Sequence, residues 1–426
     1  MKGIDGILED VKSGVYDSRI QDIYVDEKLT GYERERYEAA LLQFRKLFGE
    51  KEVELYSAPG RSEVCGNHTD HQQGHVLAAS VNLDVIAVAA FSNDRTIRLV
   101  SEDSPMIVID LNELERKEEE LGTAAALIRG VAAGMEAGGW QIGGFLAYVT
   151  SDVPMGAGMS SSAAFESLVG TVLSGMYNDS RVPSEEIAKI GQFAENVYFG
   201  KPCGLMDQMA CSVGGLIYID FKDRADPVIE QAVCDFEEHA YSLCIVETKG
   251  SHADLTDDYA AIPVEMKQVA ECFGREFLSE VDEKAFYENI AGLRNQVSDR
   301  ALLRAMHFFG EQKRVGEGVK ALENHDFQGF LEVIKKSGDS SAKMLQNIYS
   351  PKDVHTQNVT VALAASEYIL QEAGVCRIHG GGFAGTIQAF VKNEAAESYK
   401  SYMESIFGDG VCHVLKVRPY GGIKII

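Results

Sequence analysis

The segment from Val153 to Glu166, VPMGAGMSSSAAFE, has the residue types and spacing of a loop that binds phosphate. Gly156 and Gly158 allow the backbone to turn tightly and to come close to a ligand. Three serines follow at the predicted start of a helix near Ser160, where unpaired N–H groups and the helix macrodipole favour an anion. The segment lacks the Gly-Lys-Ser/Thr of a Walker A loop, so the sequence predicts a phosphate-binding loop of another type.

A second segment, APGRSEVCGNHTDHQQGHVL from Ala58 to Leu77, concentrates polar side chains after a predicted strand that ends at Pro59-Gly60. Its Asn, Asp and His side chains can accept and donate several hydrogen bonds at once, as recognition of a polyol requires. The histidines do not follow the spacing of a metal site. We therefore expect this segment to bind a polyhydroxylated ligand.

A third segment, RIHGGGFAGTIQAFV, places three glycines between two predicted strands. Taken alone it is as typical of a glycine-rich hairpin as of a backbone that closes over a neighbouring group.

Elements of mixed type must position these segments. Residues 1 to about 50 are predicted helical, and helices then alternate irregularly with strands, which favours an α+β fold over a strict βαβ series. A chain of 426 residues is expected to form two domains. The polar, acidic stretch from Lys222 to His239 is the predicted boundary. Strands are predicted at 53–58, 85–91, 96–100, 106–110, 145–150, 216–221, 242–247, 376–378 and 386–391.

Composition restricts the classes of partner. The net charge is −25, from 40 Lys and Arg against 65 Asp and Glu, which argues against binding to nucleic acid or to a membrane surface. No apolar run approaches the ~20 residues of a membrane span, and no secretion signal is recognised at the start. The eight scattered cysteines indicate reduced thiols. We expect a cytoplasmic protein that acts as a monomer.

Read together and in order, the motifs resemble those of the GHMP kinases, most closely the galactokinase group. The family's Ala-Pro-Gly-Arg segment stands at 58–61, its sugar motif as GNHTDH at 66–71, and its phosphate loop as PMGAGMSSSAA at 154–164. A Cys-Gly-x-Met-Asp-Gln block appears at 203–208 and the glycine segment, GGGFAG, at 380–385. Four or more motifs in one order are far more specific than any single one.

The resemblance implies the two-domain GHMP kinase fold. The N-terminal domain, with the sugar motif and the ATP phosphate loop, is expected at 1–230 and to resemble ribosomal protein S5 domain 2. The C-terminal GHMP kinase domain is expected at 231–426 and to be ferredoxin-like. The implied reaction is ATP-dependent phosphorylation of the anomeric hydroxyl of galactose, with ATP and a galactose-like monosaccharide as substrates.

The resemblance also implies the residues of the site. Asp207 and Arg61 match the pair that flanks the attacking hydroxyl, and Ser162 and Glu195 match the pair that holds Mg²⁺. The remaining expected contacts fall into two sets. The sugar set is Asn67, His68, Thr69, Asp70, the Gly204 backbone and Tyr259, and the ATP set is Gly156, Ala157, Gly158, Met159, Ser160, Ser161 and Ser162.

The sequence departs from the family pattern at several positions. Asn67 stands where the family has glutamate. The family's Asn-Leu-Ile is replaced by Glu63-Val64-Cys65, so Glu63 stands where the family has asparagine. His71 replaces a tyrosine, His379 replaces a threonine, and the paired arginines after Tyr259 are missing. The altered glutamate belongs to the position that reads the C6 hydroxyl, so Asn67 is expected to bind that hydroxyl through its amide.

Two alternatives remain open at this point. One is a kinase for a C6 variant such as galacturonate, since a neutral Asn67 could donate hydrogen bonds to a carboxylate. The other is a non-catalytic sugar sensor, against which the intact SSSAA sequence and Asp207 argue.

Overall fold

The computed structural model describes residues 2–156, 158–223, 226–232, 234, 236, 238–250 and 255–426. Its strands, in chain order, are β1 Lys2–Gly3, β2 Glu52–Cys65, β3 His75–Phe91, β4 Thr96–Ser101, β5 Ile107–Asp110, β6 Phe145–Ser151, β7 Leu216–Asp220, β8 Val228–Gln231, β9 Tyr241–Glu247, β10 Gly374–His379, β11 Thr386–Lys392, β12 Cys412–Leu415 and β13 Ile423–Lys424.

The α-helices, in chain order, are α1 Ile4–Lys12, α2 Asp17–Tyr24, α3 Thr30–Phe48, α4 Ala124–Ala137, α5 Ser161–Asn178, α6 Ser184–Phe193, α7 Met206–Val213, α8 Thr256–Glu271, α9 Glu283–Glu288, α10 Ile290–Leu293, α11 Asp299–Glu323, α12 Phe327–Ser340, α13 Asn358–Leu370 and α14 Asn393–Phe407. Two π-helical turns, Ala194–Phe199 and Ser341–Leu345, extend α6 and α12. None of the helices in the described part of the chain is both long and apolar enough to cross a bilayer.

The chain forms two compact units. The first contains Met1–Arg61, Ser80–Gly215 and Lys416–Ile426, and the second contains Ser62–Ala79 and Leu216–Leu415.

The first unit is built on a sheet with the strand order β1-β2-β3-β6-β4-β5, and β13 pairs with β2. All residues of β2 after Glu52 are buried, so neither face of this strand is exposed to solvent. Helices α1 to α3 cover the sheet through apolar stripes. In α1 the stripe has the i, i+3, i+4, i+7 spacing of an amphipathic helix and comprises Ile4, Ile7, Leu8 and Val11.

A buried ionic cluster around Asp84 also stabilises the first unit. The Asp84 carboxylate accepts hydrogen bonds from Arg36 at 2.6 Å, from Arg418 at 2.9 Å and from the Tyr24 hydroxyl at 2.7 Å. Both Asp84 and Arg418 are fully buried. A buried carboxylate needs such partners because an unpaired buried charge costs several kcal/mol or more, so Arg418 fixes residues 416–426 in this unit.

The second unit contains an antiparallel sheet with the strand order β10-β11-β9-β12. Along the chain, β9 is followed by helices, the hairpin β10-β11, helix α14 and β12. This order of elements is that of a ferredoxin-like β-α-β-β-α-β unit. A separate helical core includes Phe286, Phe308 and Phe309.

Two expectations about local organisation need correction. The strand β2 does not end at Pro59-Gly60 but continues to Cys65, and β3 begins at His75 rather than near Val85. The bounds of the two compact units also differ from the division expected at residue 230. Residues 75–79 pair with β7 in the second unit, and Ile423 pairs with Ser57 in the first. The sugar motif at 66–71 therefore belongs to the second unit, although the N-terminal domain was expected to contain it.

Candidate active site

Arg61 and Asp207 meet inside the first unit. Arg61 lies on β2, and Asp207 lies in the first turn of α7. The Arg61 Nε and Nη2 atoms donate to the two carboxylate oxygens of Asp207, each at 2.7 Å. The Arg61 side chain is 8% exposed and that of Asp207 is 30% exposed. The pair is thus a bidentate ion pair with its carboxylate open to a ligand.

The surroundings of Asp207 keep it ionised. Burial raises the pKa of its carboxyl, but the charge and hydrogen bonds of Arg61, with a further hydrogen bond from the Ser160 hydroxyl, outweigh burial and lower the pKa below its ordinary value. A carboxylate with a depressed pKa is a weak base. It is better suited to orienting a hydroxyl group than to removing its proton early in a reaction.

The predicted phosphate loop precedes α5. Gly156 and Gly158 have φ of +79° and +68°, in the left-handed region that glycine adopts readily. Ser160, the residue before α5, also lies in that region with φ +53°, and its hydroxyl donates to Asp207. Arg61 Nη1 donates to the Gly158 carbonyl. These contacts join the loop to the ion pair.

Two members of the expected ATP set need separate comment. Ala157 lies outside the described residues. Met159 is fully buried, and its carbonyl accepts the Arg61 backbone N–H at 3.2 Å, so its side chain belongs to the core. Ser161 and Ser162 occupy the first turn of α5, where their N–H groups have no partner within the helix.

Ser162 and Glu195, the expected magnesium pair, are adjacent in the first unit. The Ser162 hydroxyl donates to Glu195 Oε1 at 3.1 Å. Glu195 lies in the π-helical turn Ala194–Phe199 and is only 2% exposed, and π turns inside helices are frequent at functional sites. The ammonium of Lys201 lies 3.0 Å from the same oxygen. Its side chain is 64% exposed and can move aside for a cation.

A second buried glutamate lies close to this pair. The Gln208 Nε2 group donates to Glu195 Oε2 at 2.8 Å and to Glu166 Oε2 at 3.0 Å. Glu166 is fully buried, and its Oε1 has no hydrogen-bond partner among the described residues. Burial, and then the charge of Glu195, raise the pKa of Glu166 well above its ordinary value, so the folded protein favours the protonated form of this side chain more than the unfolded chain does.

In the second unit Asn67 is enclosed by protein. The residue is fully buried. Its amide Nδ2 donates to Glu63 Oε1 at 2.9 Å and to the Gly380 carbonyl at 2.7 Å. Its Oδ1 accepts from Asn347 at 2.8 Å and from Ser341 at 3.4 Å. Both donors and both lone pairs of the amide are therefore engaged.

The neighbouring members of the sugar set differ in their surroundings. His68 Nε2 donates to the Gly381 carbonyl at 2.9 Å, and the Tyr259 hydroxyl donates to the Gly382 carbonyl at 2.7 Å. Burial, and then the neighbouring His71, lower the pKa of His68 to about 4, so its ring is neutral near pH 7.

Thr69, Asp70 and Gly204 complete the expected sugar set. Thr69 is fully buried, and its hydroxyl lies within hydrogen-bond distance of the Gly66 and His75 carbonyls, so it serves the loop itself. The Asp70 side chain is 15% exposed. Gly204 belongs to the first unit, whereas residues 67–70 and Tyr259 belong to the second.

Helix α11 supports the backbone of the sugar motif. His307 Nε2 donates to the Asn67 carbonyl at 2.9 Å, which leaves Nδ1 to accept from the Ser340 hydroxyl at 2.9 Å. One turn further along, Glu311 accepts from the Gly66 N–H at 3.1 Å. Because His307 and Glu311 are fully buried, these bonds are shielded from water.

Sequence reasoning missed Glu166, Gln208 and Lys201. Glu166 and Gln208 lie within the quoted motifs but received no role. Glu166 could have been noticed because it is a charged residue in a largely apolar helix, just before Leu168, Val169 and Gly170. Charged residues are rarely buried without a partner or a function. Lys201 had no comparable signal, because its contact with Glu195 depends on the π turn between them.

Two family profiles match the parts of the chain that contain these residues. Residues 122–215 match the profile of the GHMP kinases N terminal domain, which contains the phosphate loop, Glu195 and Asp207. Residues 42–91 match the galactokinase galactose-binding signature, which contains Arg61 and the motif at 66–71.

Whole-chain relatives decide the family. The galactokinase of Glaesserella parasuis is 30% identical over 375 residues, which cover 85% of this chain and 91% of that protein. The chain belongs to the galactokinase family of GHMP kinases. The galactokinase of Lactobacillus helveticus is 28% identical over 391 residues, with 88% of this chain and 95% of that protein covered.

Solved structures confirm the GHMP kinase fold. A crystal structure of Lactococcus lactis galactokinase complexed with galactose matches with a TM-score of 0.76 and 25% identity, and covers 90% of this chain and 98% of that one. A mevalonate kinase matches with a TM-score of 0.60 at 16% identity, which concerns the fold alone. The resemblance of this galactokinase family member to ribosomal protein S5 domain 2 stays a prediction.

Proposed function

We propose that the protein transfers the γ-phosphoryl group of Mg·ATP to the anomeric hydroxyl of galactose and so forms galactose 1-phosphate. The observation that carries this proposal is the bidentate pair of Arg61 and Asp207, which is joined through Ser160 to the phosphate loop. The membership in the galactokinase family supports galactose as the sugar.

In this proposal Asp207 orients the attacking hydroxyl. Its ionised carboxylate accepts a hydrogen bond from the anomeric hydroxyl. The proton passes to it as the bond between the sugar oxygen and the γ-phosphorus forms and the bond from that phosphorus to the β,γ-bridging oxygen breaks, which releases ADP. A weak base is adequate because the transition state of phosphoryl transfer is loose and demands little nucleophilic activation. Arg61 keeps the carboxylate ionised and places a positive charge near the transferring group.

The ATP phosphates are proposed to lie along Gly156 to Ser162. The backbone N–H groups at the start of α5 lack partners within the helix and can donate to a phosphate, and the helix macrodipole adds to the attraction. Local charge of this kind is needed because the chain carries a net charge of −25, which repels a nucleotide at long range.

The residues at Ser162 and Glu195 fit Mg²⁺. One carboxylate and one hydroxyl, 3.1 Å apart, are hard oxygen ligands, and magnesium in phosphoryl-transfer sites commonly takes one or two protein ligands and keeps several waters. When bound, the ion would neutralise charge on the phosphates. The part of Glu195 is to hold that ion, and Gln208 fixes its second oxygen.

The contacts of Asn67 weaken the case for a uronate substrate. That alternative depends on the loss of a carboxylate at position 67. The structure has the carboxylate of Glu63 at 2.9 Å from the Asn67 amide, so a carboxylate is retained in this part of the second unit. A C6 carboxylate gains no unpaired amide from Asn67, because both amide N–H groups already donate to protein oxygens.

The experiment is an assay of ADP release with galactose, N-acetylgalactosamine, galacturonate, arabinose and glucose. We expect galactose to give the highest kcat/KM, and ³¹P–¹H NMR to place the phosphate on the anomeric oxygen. Asp207→Asn is the control for contaminating kinases. Higher turnover with galacturonate, or galactose-dependent ADP release no greater than that of the Asp207→Asn protein, would refute the proposal.

Two further expectations accompany the proposed function. The free thiol form of all eight cysteines suits a reducing compartment, so we place the enzyme in the cytoplasm. We also propose that it acts as a monomer, which light scattering after size-exclusion chromatography tests directly.

A further inference from the structure

Glu63 and Asn67 form a direct pair in the second unit. Relative to the family pattern the two residue types have exchanged places, since asparagine is expected at 63 and glutamate at 67. The pair keeps one carboxylate and one amide, and these groups are in contact at 2.9 Å. The two departures from the family pattern therefore retain one carboxylate and one amide, at exchanged positions.

Glu63 is fixed firmly. Arg377, which is fully buried, donates to Glu63 Oε1 at 3.2 Å and to the Val64 carbonyl at 2.8 Å. Gln388 donates to the carbonyls of Glu63 and Val64. These bonds hold the end of β2 against β10 and β11, so the carboxylate of Glu63 is a fixed acceptor for Asn67.

Asn67 connects this fixed acceptor to the glycine segment. The second N–H of its amide donates to the Gly380 carbonyl, and its oxygen accepts from Asn347. Because the residue is fully buried and its amide is saturated, a sugar hydroxyl could bind this amide only by displacing a protein partner.

We infer that Asn67 is a positioning residue, which with Glu63 joins the sugar motif to the Gly380–Gly382 segment, and that it does not itself read the C6 hydroxyl. His68 and Tyr259 bind the next two carbonyls of the same segment. The pair thereby sets the spacing of the groups expected to contact the sugar. The inference deepens the proposed galactose kinase function and relies on it for the kinetic measurement only.

The first test is a double-mutant cycle on the protein without ligands. Asn67→Asp keeps the shape of the side chain but places a second carboxylate next to that of Glu63. The double variant Glu63→Gln/Asn67→Asp restores one amide and one carboxylate, in exchanged positions. We expect Asn67→Asp to lower the Tm by several degrees and the double variant to recover at least half of that loss.

A matched control uses another buried asparagine. Asn82, in the first unit, is 3% exposed and donates to the Tyr24 carbonyl. The shifts in Tm from Asn82→Asp and Glu63→Gln should add, because the two side chains share no partner. If the shifts from Asn67→Asp and Glu63→Gln also simply add, the pair is not coupled and the inference fails. Should Asn67→Asp not fold, a folded double variant supports the inference, and an unfolded double beside a folded Glu63→Gln refutes it.

The second test compares galactose with 6-deoxygalactose, which lacks the C6 hydroxyl. Asn67→Ser should raise the KM of both sugars by a similar factor, about 10-fold, with a smaller change in kcat, so the ratio of kcat/KM between the sugars stays within 3-fold of wild type. If Asn67 bound the C6 hydroxyl directly, its loss would remove the preference for galactose over 6-deoxygalactose. A ratio of kcat/KM values that falls towards one in Asn67→Ser therefore overturns the inference. If galactose proves not to be a substrate, the Tm cycle still tests whether Glu63 and Asn67 are coupled. The assay of ADP release then shows the failure of the proposed function separately.

Discussion

Arg61 and Asp207 are separated by 146 positions along the chain, yet the two N–H groups of one guanidinium edge face both oxygens of the carboxylate at 2.7 Å. This geometry fixes the plane of the carboxylate as well as its charge. Lysine at position 61 could supply charge but not the plane. The direction in which Asp207 accepts a hydrogen bond is therefore a property of the pair.

Asp207→Asn should abolish most phosphoryl transfer. The amide cannot accept the proton and no longer pairs with the Arg61 charge, so we expect kcat to fall by about 1,000-fold or more. Galactose and ATP should still bind, which isothermal titration measures. Ser160→Ala, which removes only the hydroxyl donor to the same carboxylate, is the comparison and should cost less. Turnover in Asp207→Asn within 10-fold of wild type would exclude Asp207 from the mechanism.

Ser162→Ala and Glu195→Gln should each increase the Mg²⁺ concentration needed for half-maximal activity. Loss of a direct ligand is expected to cost at least about 10-fold, the size of effect known for groups that merely support a ligand. The measurement is a Mg²⁺ titration of activity at a fixed, saturating concentration of the sugar. Ser161→Ala removes a hydroxyl one residue away and serves as the matched control. Titration curves that coincide with wild type in both variants would show that the metal is held elsewhere.

The raised pKa of Glu166 predicts a distinctive pH dependence of stability. The folded protein retains a proton that the unfolded chain releases near pH 4.5, since burial and Glu195 raise the pKa of Glu166. The free energy of unfolding therefore falls as pH rises above this value, by at most about 1.4 kcal/mol per pH unit.

Glu166→Gln removes this titration while keeping the shape and neutrality of the side chain. The Tm of the variant relative to wild type should increase from pH 5 to pH 8, with Mg²⁺ omitted. A constant difference in Tm across this range would mean that Glu166 is ionised in the folded protein.

His68 predicts a loss of stability in acid. The ring is charged in the unfolded chain below its ordinary pKa of 6.5 and stays neutral in the folded protein down to a pKa of about 4. Stability is lost as pH falls from 6.5 towards 4, by roughly 1 to 3 kcal/mol.

His68→Asn should flatten this acid dependence. Asparagine also tolerates the left-handed conformation at this position, where φ is +59°. Urea unfolding of both proteins at pH 7 and pH 5 is the measurement. An equal loss of unfolding free energy in the two proteins would refute the prediction for His68.

The backbone conformation of the loop before α5 could be predicted from sequence because its signals are local. The positive φ of Gly156 and Gly158 needs no distant partner, and α5 begins at Ser161, one residue after the predicted start near Ser160.

Contacts across long separations could not be predicted in the same way. Pro59-Gly60 reads as the end of a strand, but burial on both faces keeps β2 extended to Cys65. The engagement of Asn67 with Glu63, Gly380 and Asn347 depends on packing within the second unit. Sequence alone identified Asn67 as an altered position and could not show that its hydrogen bonds were already made.

The place of residues 416–426 in the first unit has a consequence for biosynthesis. Arg418 is the buried partner of Asp84, and Ile423 pairs with Ser57, yet both are synthesised more than 330 positions after those partners. During translation the first unit therefore stays incomplete until the whole second unit has emerged from the ribosome. Until then Asp84 lacks the guanidinium of Arg418 as a partner. The first unit is thus the first to begin synthesis and the last to be completed. A nascent chain arrested before residue 416 should remain protease-sensitive in its first sixty residues.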